Sequence, residues 1–124
     1  MKILVTGGAG YIGSQFIIDA IRYTKWDLIS IDNYSNSSPE AFKRIAKITG
    51  RNILNHDIDL RNREDLMLLF KNSPEINGVV HFAALKSVPE SVHQPLLYYD
   101  NNINGLLHLL EATKEFKIPY FIFS

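Results

Sequence analysis

Apolar positions along this chain follow two alternating patterns. The runs Ile3-Leu4-Val5 and Leu28-Ile29-Ser30-Ile31 are nearly continuous, as in strands covered on both faces. Between such runs the apolar residues recur every three to four positions, which is the period of helices laid against a sheet. From Tyr11 to about Thr24 one helix carries Ile12, Phe16, Ile17, Ala20 and Ile21 on a single face, with Gln15, Asp19 and Arg22 opposite. Asn33 to Pro39 reads as a polar loop, and Pro39-Glu40 suits the first turn of a helix that reaches about Ile48, before Gly50. Asn52 to Asp57 predicts a short third strand, and Asp59-Leu60-Arg61-Asn62 a turn. An amphipathic helix follows, with Leu66, Leu69 and Phe70 inward and Pro74 just past its end. Val79 to Ala84 predicts a fourth strand, and a loop with Pro89 and Pro95 leads to a long helix from about Leu96 to Phe116. Tyr120-Phe121-Ile122-Phe123 predicts a fifth strand. Strands alternating with helices imply an α/β fold, a doubly wound parallel sheet ordered 3-2-1-4-5.

The first crossover carries the most specific chemistry. Gly7, Gly10 and Gly13 stand at a G-x-x-G-x-x-G spacing directly after the first apolar run. Gly7 permits the turn out of the strand, Gly10 lets a pyrophosphate approach the backbone, and Gly13 lets the helix pack on the sheet. The helix N-terminus then directs unpaired amides and its positive dipole end at the phosphates. A glycine triplet by itself also fits an ordinary strand-to-helix turn. Asp32, nineteen residues past Gly13 at the end of the second run, supplies the carboxylate that accepts hydrogen bonds from an adenosine ribose. A Rossmann-like dinucleotide site is the reading. Asp32 would repel a 2′-phosphate and no arginine closely follows it, so NAD is expected over NADP.

Composition narrows the alternatives. The 124 residues suffice for one cored domain. Lys plus Arg and Asp plus Glu both number 13, so no net charge points to nucleic acid or an acidic membrane surface. There is no cysteine, Met1-Lys2-Ile3 runs into a strand without the regions of a signal peptide, and no apolar stretch approaches the roughly 20 residues needed to span a bilayer. A cytoplasmic location is the expectation. Asn33-Tyr34-Ser35 and Asn36-Ser37-Ser38 match the glycosylation triplet but read as turn chemistry. His56, His93 and His108 share no metal-ligand spacing, so no metal is assigned; His81 reads as a satisfied core histidine. Lys86 next to an anion site reads as a phosphate ligand, with a solvated loop lysine as the plainer alternative. Leu106, Leu107, Leu109 and Leu110 read as core and helix-packing residues.

Four stretches go beyond a generic dinucleotide fold: Thr6 to Ser14, Asp32 to Ser37, His81 to Ser91, and Tyr98-Tyr99-Asp100-Asn101-Asn102-Ile103-Asn104-Gly105. Together they resemble the UDP-glucose 4-epimerase family of extended short-chain dehydrogenases/reductases, over the whole chain. Leu85-Lys86 and the Pro-x-x-Tyr-Tyr-Asp-Asn-Asn pattern favour the epimerases over the sugar-nucleotide dehydratases that share the other motifs. The resemblance implies a mechanism in which NAD takes hydride from sugar C4 and returns it to the opposite face of a 4-keto intermediate. It implies backbone contacts to the pyrophosphate from Tyr11 and Ile12, and a ribose site of Asp32, Asn33 and Asn36. Asp59 and Leu60 would border the adenine, Phe82, Ala83 and Ala84 would lie along the cofactor, and Lys86 would lie near its phosphates. Asn101 would stand beside the nicotinamide half, and Ser124 would match the first serine of the family's run after the fifth strand. Ala84 stands where a glycine is common.

The family's Tyr-x-x-x-Lys pair, a general base and the lysine that lowers its pKa, has no counterpart here: four residues after Tyr11, Tyr23, Tyr34, Tyr98, Tyr99 and Tyr120 come Gln15, Asp27, Ser38, Asn102, Ile103 and Ser124. The resemblance therefore implies an incomplete NAD-binding domain over residues 1–124, truncated after the fifth strand, without the UDP-sugar lobe and inactive alone. A noncatalytic dinucleotide-binding module and a fragment of a sugar-nucleotide 4,6-dehydratase are the alternatives. The last strand and the long helix, which in the family contributes to the dimer interface, predict self-association.

Overall fold

A computed structural model describes residues 1–124. Five strands, β1 (Lys2–Thr6), β2 (Asp27–Ile31), β3 (Leu54–His56), β4 (Ile76–His81) and β5 (Tyr120–Phe123), form one sheet in the order β3-β2-β1-β4-β5. Every pairing is parallel. Side chains of successive strand residues point to opposite faces, so β1 supplies two cores. Leu4 joins Ile29, Ile31, Val79, Leu66, Phe70 and Leu109 on one face, beneath α3 (Arg63–Asn72) and α6 (Gly105–Glu115). Ile3 and Val5 join Leu28, Val80, Ile17 and Ile45 on the other, beneath α1 (Tyr11–Tyr23) and α2 (Glu40–Thr49). The sheet is thus covered on both faces, as its continuous apolar runs require. No helix is long and apolar enough to cross a membrane.

Several boundaries differ from the expected ones. In α1 the buried face is Gly13, Ile17, Ile18 and Ala20, and Ile12 is exposed. Ile12 lies in the first turn at the rim of the sheet, beyond the reach of the core. β3 is three residues long because the Ile58 amide bonds back to the His56 carbonyl at 2.9 Å and turns the chain away. β4 begins at Ile76 rather than Val79, with the polar Asn77 exposed and the Asn77 side chain accepting from the Lys2 amide at 2.9 Å. Gly78 is needed there: a Cβ would stand 2.8 Å from Ile3 Cδ1. The strand ends at His81, so Phe82, Ala83 and Ala84 belong to the loop that follows.

The stretch expected as a loop and one long helix is four pieces. Pro89 sits in the first turn of α4 (Val88–His93), where a missing amide costs nothing, and Ser87 caps it by accepting from the Glu90 amide at 3.4 Å. α5 (Pro95–Tyr99) then runs through a π-helical turn, Asp100–Asn104, into α6. Periodicity alone could not show a one-residue expansion inside a helix.

Candidate cofactor-binding cleft

The chain passes from β1 out to β2 and β3, then returns to the other side of β1 with β4. Crevices form at such a reversal, beyond the carboxyl ends of the strands. The cleft here is lined by Gly7 and Gly10 after β1, Asp32, Asn33 and Asn36 after β2, Asp59 and Leu60 after β3, Phe82, Ala83 and Ala84 after β4, and Asn101 from the π-turn. One wall is therefore the glycine turn. Gly7 has φ +73°, and a Cβ on it would stand 2.8 Å from the Ala83 amide nitrogen, so the loops after β1 and β4 cross in contact. A Cβ on Gly13 would overlap the Gly7 carbonyl oxygen. α1 opens on Gly10 with no side-chain cap and no acidic residue in its first turn. Its first amides are left for an external anion.

Asp32 is almost fully buried and does more than face the cleft. Its Oδ2 accepts from the Ala9 amide at 2.9 Å, while Oδ1 accepts from the Tyr34 amide at 2.9 Å and the Ser37 hydroxyl at 2.8 Å. The carboxylate thereby holds the glycine turn to the loop after β2, and it keeps lone-pair capacity for one further donor. The Asp32-to-Tyr34 bond also supports the left-handed backbone of Tyr34, φ +58°.

A polar chain continues along the opposite lip. Asn33 Nδ2 donates to Asp59 Oδ2 at 3.1 Å, and Arg61 grips the same carboxylate through Nε at 3.0 Å and Nη2 at 2.7 Å. The Arg61 guanidinium, foremost, holds the Asp59 carboxyl below the usual carboxylate range. Arg61 Nη1 also lies 3.6 Å from Asp100 Oδ2, on the π-turn. Leu60 packs against Gly105, and its carbonyl lies 2.9 Å from His108 Nδ1.

The remaining expected residues lie outside the lining. Tyr11, Ile12 and Gly13 form the first turn of α1, with the Tyr11 and Ile12 side chains exposed and their amides at the rim. Lys86 is exposed within the loop after β4, and its charge helps to depress the pKa of His81. Ser124 is exposed, with its amide donating to the His81 carbonyl at 3.2 Å. Ile31, Ser35, Ser37, Ile58 and Leu85 line the cleft although the sequence reading gave none of them a cofactor contact. Ser37 carried a usable signal, a hydroxyl five residues past the key carboxylate; the others are reached only through folding.

Comparison with known proteins gives a consistent assignment. The family model described as GDP-mannose 4,6 dehydratase matches residues 4–123. A UDP-glucose 4-epimerase of Schizosaccharomyces pombe is 44% identical over 122 residues, 98% of this chain and 34% of that protein. The Bacillus subtilis UDP-glucose 4-epimerase is 44% identical over 124 residues, covering 100% of this chain and 36% of that one. Among solved structures, the UDP-glucose 4-epimerase of Bifidobacterium longum in complex with NAD+ and UDP superimposes with a TM-score of 0.94 at 42% identity, over 100% of this chain and 36% of that chain. The chain spans about a third of the length of the relatives it matches. It belongs to the GDP-mannose 4,6 dehydratase family and corresponds, within it, to the N-terminal third of UDP-glucose 4-epimerases.

Proposed function

We propose that this chain is the NAD-binding part of a UDP-glucose 4-epimerase, which interconverts UDP-glucose and UDP-galactose. The observation that carries the reading is the meeting of the uncapped α1 N-terminus with the buried Asp32 carboxylate in one cleft. The residues fit the cofactor. Amides of the first α1 turn would take the pyrophosphate, and the open lone pair of Asp32 an adenosine ribose hydroxyl, with Asn33 and Asn36 beside it. Asp59 and Leu60 would border the adenine. Phe82, Ala83 and Ala84 would exclude water along the other half, with Asn101 at its edge and Lys86 reaching in from the rim. Bound there, NAD supplies a hydride acceptor for sugar C4. Support comes from neighbours at 38% and 42% identity whose structures hold NAD. The dehydratase alternative has less support, since the matched relatives, between 42% and 46% identical, are UDP-glucose 4-epimerases and a bifunctional protein.

The 124 residues hold no Tyr-x-x-x-Lys pair, so the chain alone is expected to turn over no UDP-galactose, and UDP-sugar binding belongs to the full-length enzyme. The cytoplasm is the compartment that suits a cysteine-free NAD protein. Leu96, Tyr99, Ile103, Leu107 and Leu110 form an exposed apolar stripe along α5, the π-turn and α6, and Ile122 and Phe123 are exposed on β5. A second copy of the chain is the partner proposed for these surfaces.

Calorimetric titration of the purified chain tests the reading. NAD is expected to bind and NADP to bind more weakly; no heat with NAD, or tighter binding of NADP, overturns it. Sedimentation across a concentration series tests self-association, which a monodisperse monomer at high micromolar concentration would refute.

A further inference from the structure

Two adjacent asparagines at the π-turn are wired in a fixed order. The Leu85 amide donates to Asn102 Oδ1 at 2.8 Å, and Asn102 Nδ2 donates to the Leu85 carbonyl at 2.8 Å. A backbone amide can only donate and a carbonyl can only accept, so these two bonds fix which way round the Asn102 amide lies. Asn102 Oδ1 also accepts from Asn101 Nδ2 at 2.9 Å. The Asn101 nitrogen is therefore turned toward Asn102, and Asn101 Oδ1 has no partner within the chain, although Asn101 lines the cleft. One backbone residue thus sets the polarity of a side chain two steps away.

We propose that Asn102 is a positioning residue: it holds Asn101 so that an amide oxygen, rather than an amide nitrogen, is offered to the half of the bound dinucleotide farther from Asp32. The group that recognises such an oxygen is a hydrogen-bond donor, either a hydroxyl of the second ribose or an N–H of the carboxamide. A second brace supports this geometry. Tyr98, one turn before Asn102, accepts from the Ser87 amide at 3.1 Å and donates to Glu90 Oε2 at 2.6 Å, so the loop after β4 is held at Leu85 and at Ser87 from one helix face. The proposal rests on the NAD reading above.

The test is calorimetric titration of the 124-residue chain with NAD, ADP-ribose and ADP, the last of which lacks the second half. Asn102→Leu is expected to weaken NAD about tenfold, the usual scale for one misdirected hydrogen bond, while ADP binding stays within about twofold. In an Asn101→Ala background, Asn102→Leu should have no further effect on NAD. ADP-ribose weakened in step with NAD assigns the donor to the ribose; ADP-ribose unchanged assigns it to the carboxamide. If Asn102→Leu does not fold, Asn101→Asp serves, because it keeps an acceptor for the ligand but turns an oxygen on Asn102 Oδ1; NAD is expected to weaken. Equal losses for NAD and ADP, an Asn102→Leu effect that persists without Asn101, or unchanged NAD affinity in Asn101→Asp each overturn the proposal alone. Absence of NAD binding by the unsubstituted chain overturns the NAD reading and this proposal with it.

Discussion

Thr6 Oγ1 lies 2.6 Å from His81 Nδ1, joining the carboxyl ends of β1 and β4, the two strands that flank the cleft. The same oxygen accepts from the Ala83 amide at 3.3 Å, and because His81 Nδ1 is the acceptor within reach of the Thr6 proton, we assign the hydroxyl as the donor to an unprotonated Nδ1. Burial, with the nearby Lys86 charge, pushes His81 down to about 4 from an ordinary 6.5. Because the folded state holds this ring neutral, the unfolded chain takes up the extra proton between those values. The contribution is whole above pH 6.5 and is lost as pH falls toward about 4, at most about 3 kcal/mol. Chemical denaturation at pH 7.5 and pH 5 should show the chain less stable at pH 5. His81→Phe should reduce that difference, and an unchanged difference would show that other groups cause it.

Ser30 is fully buried and its hydroxyl has no hydrogen-bond partner. It lies against Gly8, where a Cβ would overlap Ser30 Oγ. Removing an unsatisfied hydroxyl relieves a desolvation cost, so Ser30→Ala should leave stability unchanged or raise it by up to about 1 kcal/mol. Gly8→Ala should cost about 1–3 kcal/mol through overpacking. Urea midpoints separate the cases: a marked loss in Ser30→Ala would reveal a partner for the hydroxyl.

Asp32 has three protein donors on its carboxylate, so its replacement should do more than admit a 2′-phosphate. Asp32→Ala is expected to lose most of the preference for NAD over NADP and also to weaken NAD itself by about tenfold or more, since the glycine turn is released. Titration with both cofactors checks this. Full NAD affinity in the variant would mean that the Ala9 bond does not shape the site.

Asn62 caps α3 in both directions, accepting from the Asp65 amide at 3.1 Å and donating to the Asp65 carboxylate at 2.8 Å. Asn62→Ala should cost about 1 kcal/mol, whereas Asn62→Ser should recover most of it. Thermal unfolding measures both, and a lowered midpoint for Ser equal to that for Ala would deny the cap its role.

The sheet order was legible because four apolar runs and one short, polar-flanked strand segment alternate with helical periodicity, and the glycine turn with Asp32 marked where the crevice opens. What escaped reading depended on tertiary contact. Gly78 interrupts β4 in the sequence, yet it is required by the approach of Ile3. Pro89 looked like a loop signal until Ser87 supplied a cap. The Asp32 bonds to Ala9 and Ser37, like the Asn102 bonds to Leu85, join segments whose proximity only the folded chain reveals.

The π-turn at Asp100–Asn104 adds one residue to a helix that must serve two masters. Upstream of α6 it aims Asn101 into the cleft, and downstream it sends Leu109 and Ala112 into the core. Each α-helical residue advances the face by about 100°. The wide turn absorbs the added residue, so deleting Ile103 would bring the backbone back to regular pitch with both faces still in phase, whereas deleting a residue within the regular turns of α6 would rotate Leu109 and Ala112 out of phase with Asn101 by that angle. The latter deletion would leave the helix intact as a helix while uncoupling the pocket from the interior, so this segment carries a reading frame of its own, counted in turns.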